Sequence, residues 1–429
     1  KKQSSLTGNI LYDCQKQQLN IPQLKLSSYD VNINGQFHTL TTDKGLHYNG
    51  IFTIDSFSPK QLASRLCAAL PEMKNPSALS SADMQLEITG DQNQLAISSL
   101  SANLDNTSLT GSASIKNFQT SRYKFDLALN QLDLDYYAAV EAAQKSEQTT
   151  AKNDKEKAAS SRQTTAGSST AKPDTSNSLL PLDTLRQLNL DGKLSIGKFK
   201  AGGAKMTNVI IILKGERGII QLAPLTGDLY NGKINLTSTI DANKDTPVIK
   251  LVNKLSQVQI GDLLSDTTGS KEFTGKANIK ANITTVGNSQ KQLLKNSNGS
   301  ADLLITDGHI KSLDIISTLR TAQALYRGQL PPTQTQQQDT KFTELKGTFR
   351  IKQGVVSNND LYSRSPVMEF TGKGYADLPR EYMDYTLNVK MLNSLKIDDK
   401  TGGTDYKGKE FPYTIKGNFS DLSQTAGVD

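Results

Sequence analysis

The chain has 429 residues, more than one ordinary compact domain holds. With 36% hydrophobic and 21% charged residues, it is neither an array of membrane spans nor a mostly disordered chain. The net charge of +7 lies wholly in residues 179–429, where 32 Lys and Arg meet 25 Asp and Glu, whereas residues 1–178 carry 17 of each sign.

That dispersed basic excess fits a solvated face or a surface that meets anionic lipid. Arginines are few and scattered, not clustered, which argues against nucleic acid as a partner. There are three histidines, two cysteines and no tryptophan. No Cys-x-x-Cys or His-x-x-x-His pair, phosphate-binding glycine loop or Gly-x-Ser-x-Gly elbow occurs. No catalytic residue, metal or cofactor is expected. Cys14 and Cys67 leave two options open, a single bridge or two reduced thiols.

In chain order, Lys1-Lys2-Gln3-Ser4-Ser5 leads straight into a strand-like segment, so the start reads as the middle of something longer. Ser58-Pro59 reads as an N-cap and first helical position. Leu62, Leu66, Ala69 and Leu70 then give an apolar stripe that should end by Pro71, with Cys67 beside it as a small buried hydrophobe. Alternation at Phe125, Leu127 and Leu129 predicts a strand with one apolar face. From Glu141 to Ser178 there is no Val, Ile, Leu, Met, Phe or Tyr, so this stretch should be a disordered linker. It divides a first β-region, 1–140, from a second, 179–429.

Beyond the linker, Val209, Ile211 and Leu213 alternate, and Ile234 and Leu236 continue the pattern. Short helices are expected at Ile260–Leu264 and Gln290–Lys295. Lys276–Ile283 alternates without a fault, with Ile279 and Ile283 on its apolar side. Leu303 and Ile305 precede a longer helix near Leu313–Tyr326, and Leu387 and Val389 lie in a late strand. Polar breaks fall at Pro331–Gln338 and Asp398–Asp405. The longest aliphatic run, Val209–Leu213, is far short of the roughly 20 residues a membrane span needs.

Turn signals recur at Asp91-Gln92, Gly202-Gly203, Glu216-Arg217-Gly218, Asn231-Gly232, Asp307-Gly308 and Gln353-Gly354. About twenty short strands follow, a mainly β meander. Glycine recurs in a shared setting, as in Leu109-Thr110-Gly111, Phe273-Thr274-Gly275 and Phe370-Thr371-Gly372, and reads as the point just before a strand or as a bulge.

Two or three helices cannot cover the apolar faces of twenty strands. Those faces pack on another sheet, or they line a trough filled by something other than protein. The strand-face residues named above, Phe125, Leu127, Leu129, Val209, Ile211, Leu213, Ile234, Leu236, Ile279, Ile283, Leu303, Ile305, Leu387 and Val389, are the candidate lining, and pattern alone leaves groove and sandwich core open. Asp133 and Asp135 share a strand face and are candidate cation or sugar-nucleotide ligands, with a solvated strand end as the simpler reading. His309 reads as a turn-flanking surface residue. Asp398-Asp399 lacks the oxygen ligands a calcium site needs.

Several segments resemble the AsmA family of Gram-negative envelope proteins: Phe52–Leu66, Leu104–Ile115, Phe125–Asp135, Leu190–Gly197, Leu225–Lys233 and Asp307–Lys311. In Leu132-Asp133-Leu134-Asp135, Tyr136 follows directly, without the usual intervening residue. The resemblance implies a periplasmic β-rich part behind an N-terminal inner-membrane anchor absent from this chain. It favours a long antiparallel meander curled into an elongated apolar groove with a few short helices. It implies a non-enzymatic protein that binds phospholipids or other acyl lipids and supports outer-membrane biogenesis. The alternative is a periplasmic scaffold that meets envelope protein partners through its sheet edges.

Overall fold

The computed structural model describes residues 4–43, 45–139, 178–311, 340–366, 368–392 and 407–426. The first eight strands are β1 (Ser5–Asp13), β2 (Gln18–Ser28), β3 (Val31–Thr42), β4 (Gly45–Phe57), β5 (Ala82–Asp91), β6 (Gln94–Leu104), β7 (Thr107–Lys116) and β8 (Arg122–Asp133), with helix α1 (Pro59–Arg65) between β4 and β5. Helix α2 (Leu182–Gln187) leads into β9 (Asn189–Ala201), β10 (Ala204–Glu216), β11 (Ile219–Leu229), β12 (Gly232–Asp241) and β13 (Val248–Gln259). Helix α3 (Ile260–Thr268), β14 (Phe273–Val286), helix α4 (Gln290–Lys295) and β15 (Asn298–Ile310) follow. The chain continues as β16 (Thr340–Lys352), β17 (Val355–Arg364), β18 (Met368–Asp377), β19 (Tyr382–Met391), β20 (Glu410–Asn418) and β21 (Asp421–Ala426).

All 21 strands form one open sheet that does not close into a barrel, and 68% of the described residues are in strands. Each strand pairs with its neighbour in sequence, from β1–β2 to β20–β21. One junction departs from the expected antiparallel meander: β8 and β9 are parallel. A parallel neighbour needs a crossover of a dozen residues or more, and 55 residues (134–188) separate these two strands. The expected linker is therefore the crossover, and all of it but Ser178 lies outside the described residues. The sheet runs unbroken across the boundary between the two expected regions.

At the far end of β8, carboxylates lock the seam. Asp135 accepts hydrogen bonds from the backbone N–H groups of Gly202 (2.7 Å) and Gly203 (2.9 Å), in the β9–β10 turn. Lys200 reaches Asp133 at 3.3 Å and Asp135 at 3.6 Å. The Gly203 N–H bond, with the Gly202 bond and Lys200, holds the Asp135 carboxyl below its ordinary range. Behind them Tyr230 Oη donates to Asp266 at 2.6 Å, and burial, reinforced by that carboxylate, pushes the phenol up to about 12.

The helices follow their sequence signals. Ser58 Oγ accepts the Gln61 N–H and Ser289 Oγ the Gln292 N–H, each at 3.3 Å, capping α1 and α4. Gly269, at φ 75°, ends α3 in the left-handed conformation. Helix α1 stops at Arg65, and Leu66 and Leu70 are exposed, so the expected apolar stripe is not a buried one. Cys67 is exposed with φ 56°, not a buried hydrophobe, and both cysteines are free. Asp307-Gly308 is a bulge inside β15, not a hairpin: the register with β14 shifts between Thr274 and Lys276. The expected helix at Leu313–Tyr326 and the polar breaks at Pro331–Gln338 and Asp398–Asp405 lie outside the described residues.

The recurrent glycines stand within strands, not before them. Gly192 on β9 shows why one is needed. A Cβ there would sit 2.2 Å from the ring of Phe125, which lies across it from β8.

Candidate functional site

Period-two alternation and strand register gather most of the sheet's apolar side chains on one face, with a few, such as Ile210, Val252 and Leu304, exposed on the other. One transverse row can be followed through sixteen strands. It runs Gly8, Leu24, Gly35, Phe52, Leu86, Leu100, Gly111, Leu127 in β1–β8. It then crosses the parallel junction to Leu194, Ile211, Leu225, Leu236, Asn253, Ala281, Ala301 and Phe349. A second row, Ala277, Ile305, Leu345, Ser363, Phe370, Val389 and Phe411, carries the same face on to β20. On the opposite face a parallel row reads Lys124, Asp191, Lys214, Gln221, Thr239, Lys250, Thr284 and Asn298.

No second sheet exists among the described residues to cover this face. In β1–β8 no apolar side chain is fully buried. In β9–β20 a buried line does form: Ile196, Val209, Val258, Ala277, Ile305, Phe342, Phe370, Val389 and Phe411. Ala277, Ile305 and Phe342 make a closed cluster with Ile260 of α3 and Phe273 packed against it. That line hugs the sheet end where α3 sits; away from it the face is half-exposed.

The fourteen candidate lining residues all fall on the apolar face. Phe125 pairs with Gly192, Leu127 with Leu194, Leu129 with Ile196, and Ile196 in turn with Val209. Ile234 pairs with Leu255, Leu255 with Ile279, and Ile279 with Leu303. Leu213 pairs with Leu222, Ile283 with Leu251, and Leu387 with Gly372. Val209, Ile305 and Val389 are buried and the other eleven are half-buried. The alternation that identified β8 and β14 also runs through Leu24 and Leu26, and through Met84, Leu86 and Ile88, so the first seven strands carry lining that the candidate set left out.

The remaining candidates have structural duties. Asp133 and Asp135 pin the seam. His309 is half-buried inside β15, opposite Lys341, and flanks no hairpin. Among the described residues no group of three His, Cys, Asp or Glu side chains is placed to hold a metal ion.

Polar groups also enter the apolar face: Ser363 of the second row, whose Oγ donates to the Glu344 carbonyl at 2.8 Å, and two asparagines. Asn358, buried on β17, accepts from Tyr385 Oη at 2.6 Å and donates to the Thr348 carbonyl at 3.0 Å, and burial pushes the Tyr385 phenol up to about 12. Asn253, on β13, has a buried Oδ1 with no hydrogen-bond donor.

An open sheet with one apolar face along its whole length is the setting in which the chain's relatives matter. The chain is 23% identical over 246 residues to Protein AsmA of Escherichia coli strain K12, an alignment covering 57% of this chain and 40% of that protein. It thus spans well under two thirds of that relative's length. No solved structure matches it. The profile of the AsmA family matches residues 6–361, from β1 into β17, and the chain therefore belongs to the AsmA family.

Proposed function

We propose that this chain is a non-enzymatic, acyl-lipid-binding protein of the Gram-negative envelope, whose apolar sheet face shelters phospholipid chains on their way to the outer membrane. One observation carries the reading: an apolar face continuous from β1 to β20 and left half-exposed. Twenty strand spacings of about 4.8 Å give a sheet roughly 96 Å long before twist. A monomer does not leave so large an apolar area to water without a ligand. Acyl chains suit it, because each methylene moved from water onto such a surface gains about 0.8 kcal/mol and demands no hydrogen-bond partner.

AsmA-family membership supports an envelope-associated role connected with the outer membrane. No described helix is long and apolar enough to cross a membrane. Anchoring to the inner membrane, with this part in the periplasm, belongs to the proposal. The test is organic extraction of gently purified protein, followed by mass spectrometry. Diacyl lipid above a mock purification supports the reading, and lipid at the control level refutes it.

A second reading has its own observation. β1 is an edge strand of the described sheet; all nine of its residues are exposed, with Leu6 and Ile10 at 69%. Such an edge accepts an added strand, and capture of extended outer-membrane-protein segments would make the chain an assembly scaffold. Protection of β1 amides by such peptides, in a preparation free of lipid, would favour this reading.

A further inference from the structure

The parallel junction leaves a mark on the rim of the sheet. At the end where β8 and β9 both begin, the neighbouring strands are joined in pairs, β7–β8 through residues 117–121 and β10–β11 through 217–218. Between these two connections β9 has no hairpin partner, because it arrives from α2. The gap is a cleft of about 660 Å³.

Its lining is two-faced. Tyr123, Leu190 and Gly215 are in register with one another and belong to the apolar face. Lys116, Arg122, Lys124, Lys214 and Arg217 supply five positive charges, and Asp191 and Glu216 two negative ones, a balance of +3. The cations are not arranged to satisfy the fold. Lys116 stands directly opposite Arg122, a like-charge pair that opposes strand pairing. Lys124 and Lys214 flank Asp191 from either side, yet among the described residues neither reaches a carboxylate within ion-pair distance, and nor does Lys116. The single ion pair inside the cleft is Arg217–Glu216 at 3.9 Å, while Arg122 Nε donates to Asn189 Oδ1 at 3.4 Å. All five cations are exposed.

At these open strand ends the excess cations of the polar face lie one residue in register from Tyr123 and Leu190 of the apolar face, and an amphiphile with a phosphate head can straddle that rim. We propose that this notch is a head-group site, which holds the phosphate of a phospholipid at the rim while its acyl chains lie along Tyr123, Leu190 and the apolar face beyond. This rests on the lipid-binding reading, and it adds a place and a charge preference. Lysine and arginine donors around an anionic oxygen make charge-assisted hydrogen bonds, and arginine can grip two oxygens at once. The parallel seam thereby becomes the point along the sheet where phosphate-bearing lipid is distinguished from neutral lipid.

The experiment compares tail-labelled phosphatidylglycerol with diacylglycerol carrying the same tails, bound to the intact chain at fixed ionic strength, with inorganic phosphate as a competitor. The variants are Lys124→Gln/Lys214→Gln and the quadruple Lys116→Gln/Arg122→Gln/Lys124→Gln/Lys214→Gln. Every substituted side chain is exposed, and a melting curve verifies the fold. The unsubstituted chain should prefer phosphatidylglycerol, the quadruple variant should lose that preference by on the order of tenfold, and diacylglycerol binding should stay unchanged. The double variant should fall between. Phosphate should compete only weakly, since it lacks chains for the apolar face. An unchanged preference in the quadruple variant overturns the head-group site while diacylglycerol binding leaves the lipid reading standing. Failure of both lipids to bind the unsubstituted chain removes the lipid reading, and the site with it. Tight phosphate binding without lipid binding makes the notch a plain anion site and overturns the proposal.

Discussion

Ile279 stands mid-strand on β14, paired with Leu255 on one side and Leu303 on the other. It is half-buried, whereas Ala277, two residues earlier on the same face, is 0% exposed in the Ile305–Phe342 cluster. Ile279 packs against the margin of that cluster, so the two positions contrast the half-exposed edge of the packed line with its closed centre. Full burial of an isoleucine is worth ~1.5–3 kcal/mol, so Ile279→Asp forfeits about 1–1.5 kcal/mol of it. Strand preference adds up to about 1 kcal/mol. The carboxylate keeps its water, so no large charge-burial cost is added. A loss of about 2 kcal/mol lies within the ~5–15 kcal/mol that holds a typical domain together, and the variant should fold. Ala277→Asp instead buries an unpaired charge, costs several kcal/mol, and should unfold this part of the sheet. A charge at position 279 that keeps three methylenes off the surface costs a bound chain ~2.4 kcal/mol, about 50-fold in affinity. Lys280→Glu is the control. That residue is exposed, between Lys254 and Asp302 in register, so the substitution exchanges one like-charge neighbour for another. The assay is thermal melting together with lipid loading. Global unfolding of Ile279→Asp would refute the open face at this strand, and a folded variant with unchanged lipid would refute lipid contact there.

Asn253→Leu removes the orphaned acceptor from the apolar row and should raise stability, by up to about 1–3 kcal/mol, measured by urea denaturation; a clear loss would mean that Oδ1 has a partner. Gly192→Ala drives a methyl into the Phe125 ring and should cost ~1–3 kcal/mol at the β8–β9 seam, read from the melting temperature; a neutral result would contradict that close approach. Asp105 should matter in acid. Burial raises its carboxyl, but bonds from the Leu79, Ser81 and Ser80 N–H groups and the Ser80 hydroxyl outweigh it, so the folded pKa lies below the ordinary 3.8. Its stabilisation is therefore full above that value and is lost as pH falls through the folded pKa. Asp105→Asn should lose about 1 kcal/mol at pH 7 after solvent screening, and the gap to the unsubstituted chain should close below pH 3.8; a pH-independent gap would rule out the carboxylate as the cause.

The strands were legible because their signal is local. Lys276–Ile283 alternates without a fault, and β14 forms there with its apolar residues on one face. Ser58-Pro59 likewise sets α1 in place through a cap that needs no tertiary contact. What escaped was pairing over distance. Nothing near Asp133 or Asn189 announces a parallel neighbour, because that choice belongs to the chain's return path across 55 residues. The basic notch follows from the same junction, so its cations, scattered between Lys116 and Arg217, look like unrelated surface charges in the sequence. Asp307-Gly308 misled for a related reason. A residue pair suited to positive φ serves a bulge as readily as a hairpin, and only the register distinguishes the two.

On the lipid-binding reading, acyl chains lie on one face of this sheet and not on the other. The direct measurement is site-specific photocrosslinking in cells grown with labelled fatty acid. A photoreactive residue is placed in turn at Leu127, Ile211, Ile279 and Leu387 on the apolar face, and at Asp126 and Lys280 on the polar face. Labelled lipid should attach at the four apolar positions, with none above background at the two polar ones. Equal labelling of both faces, or labelling of neither, would contradict that reading.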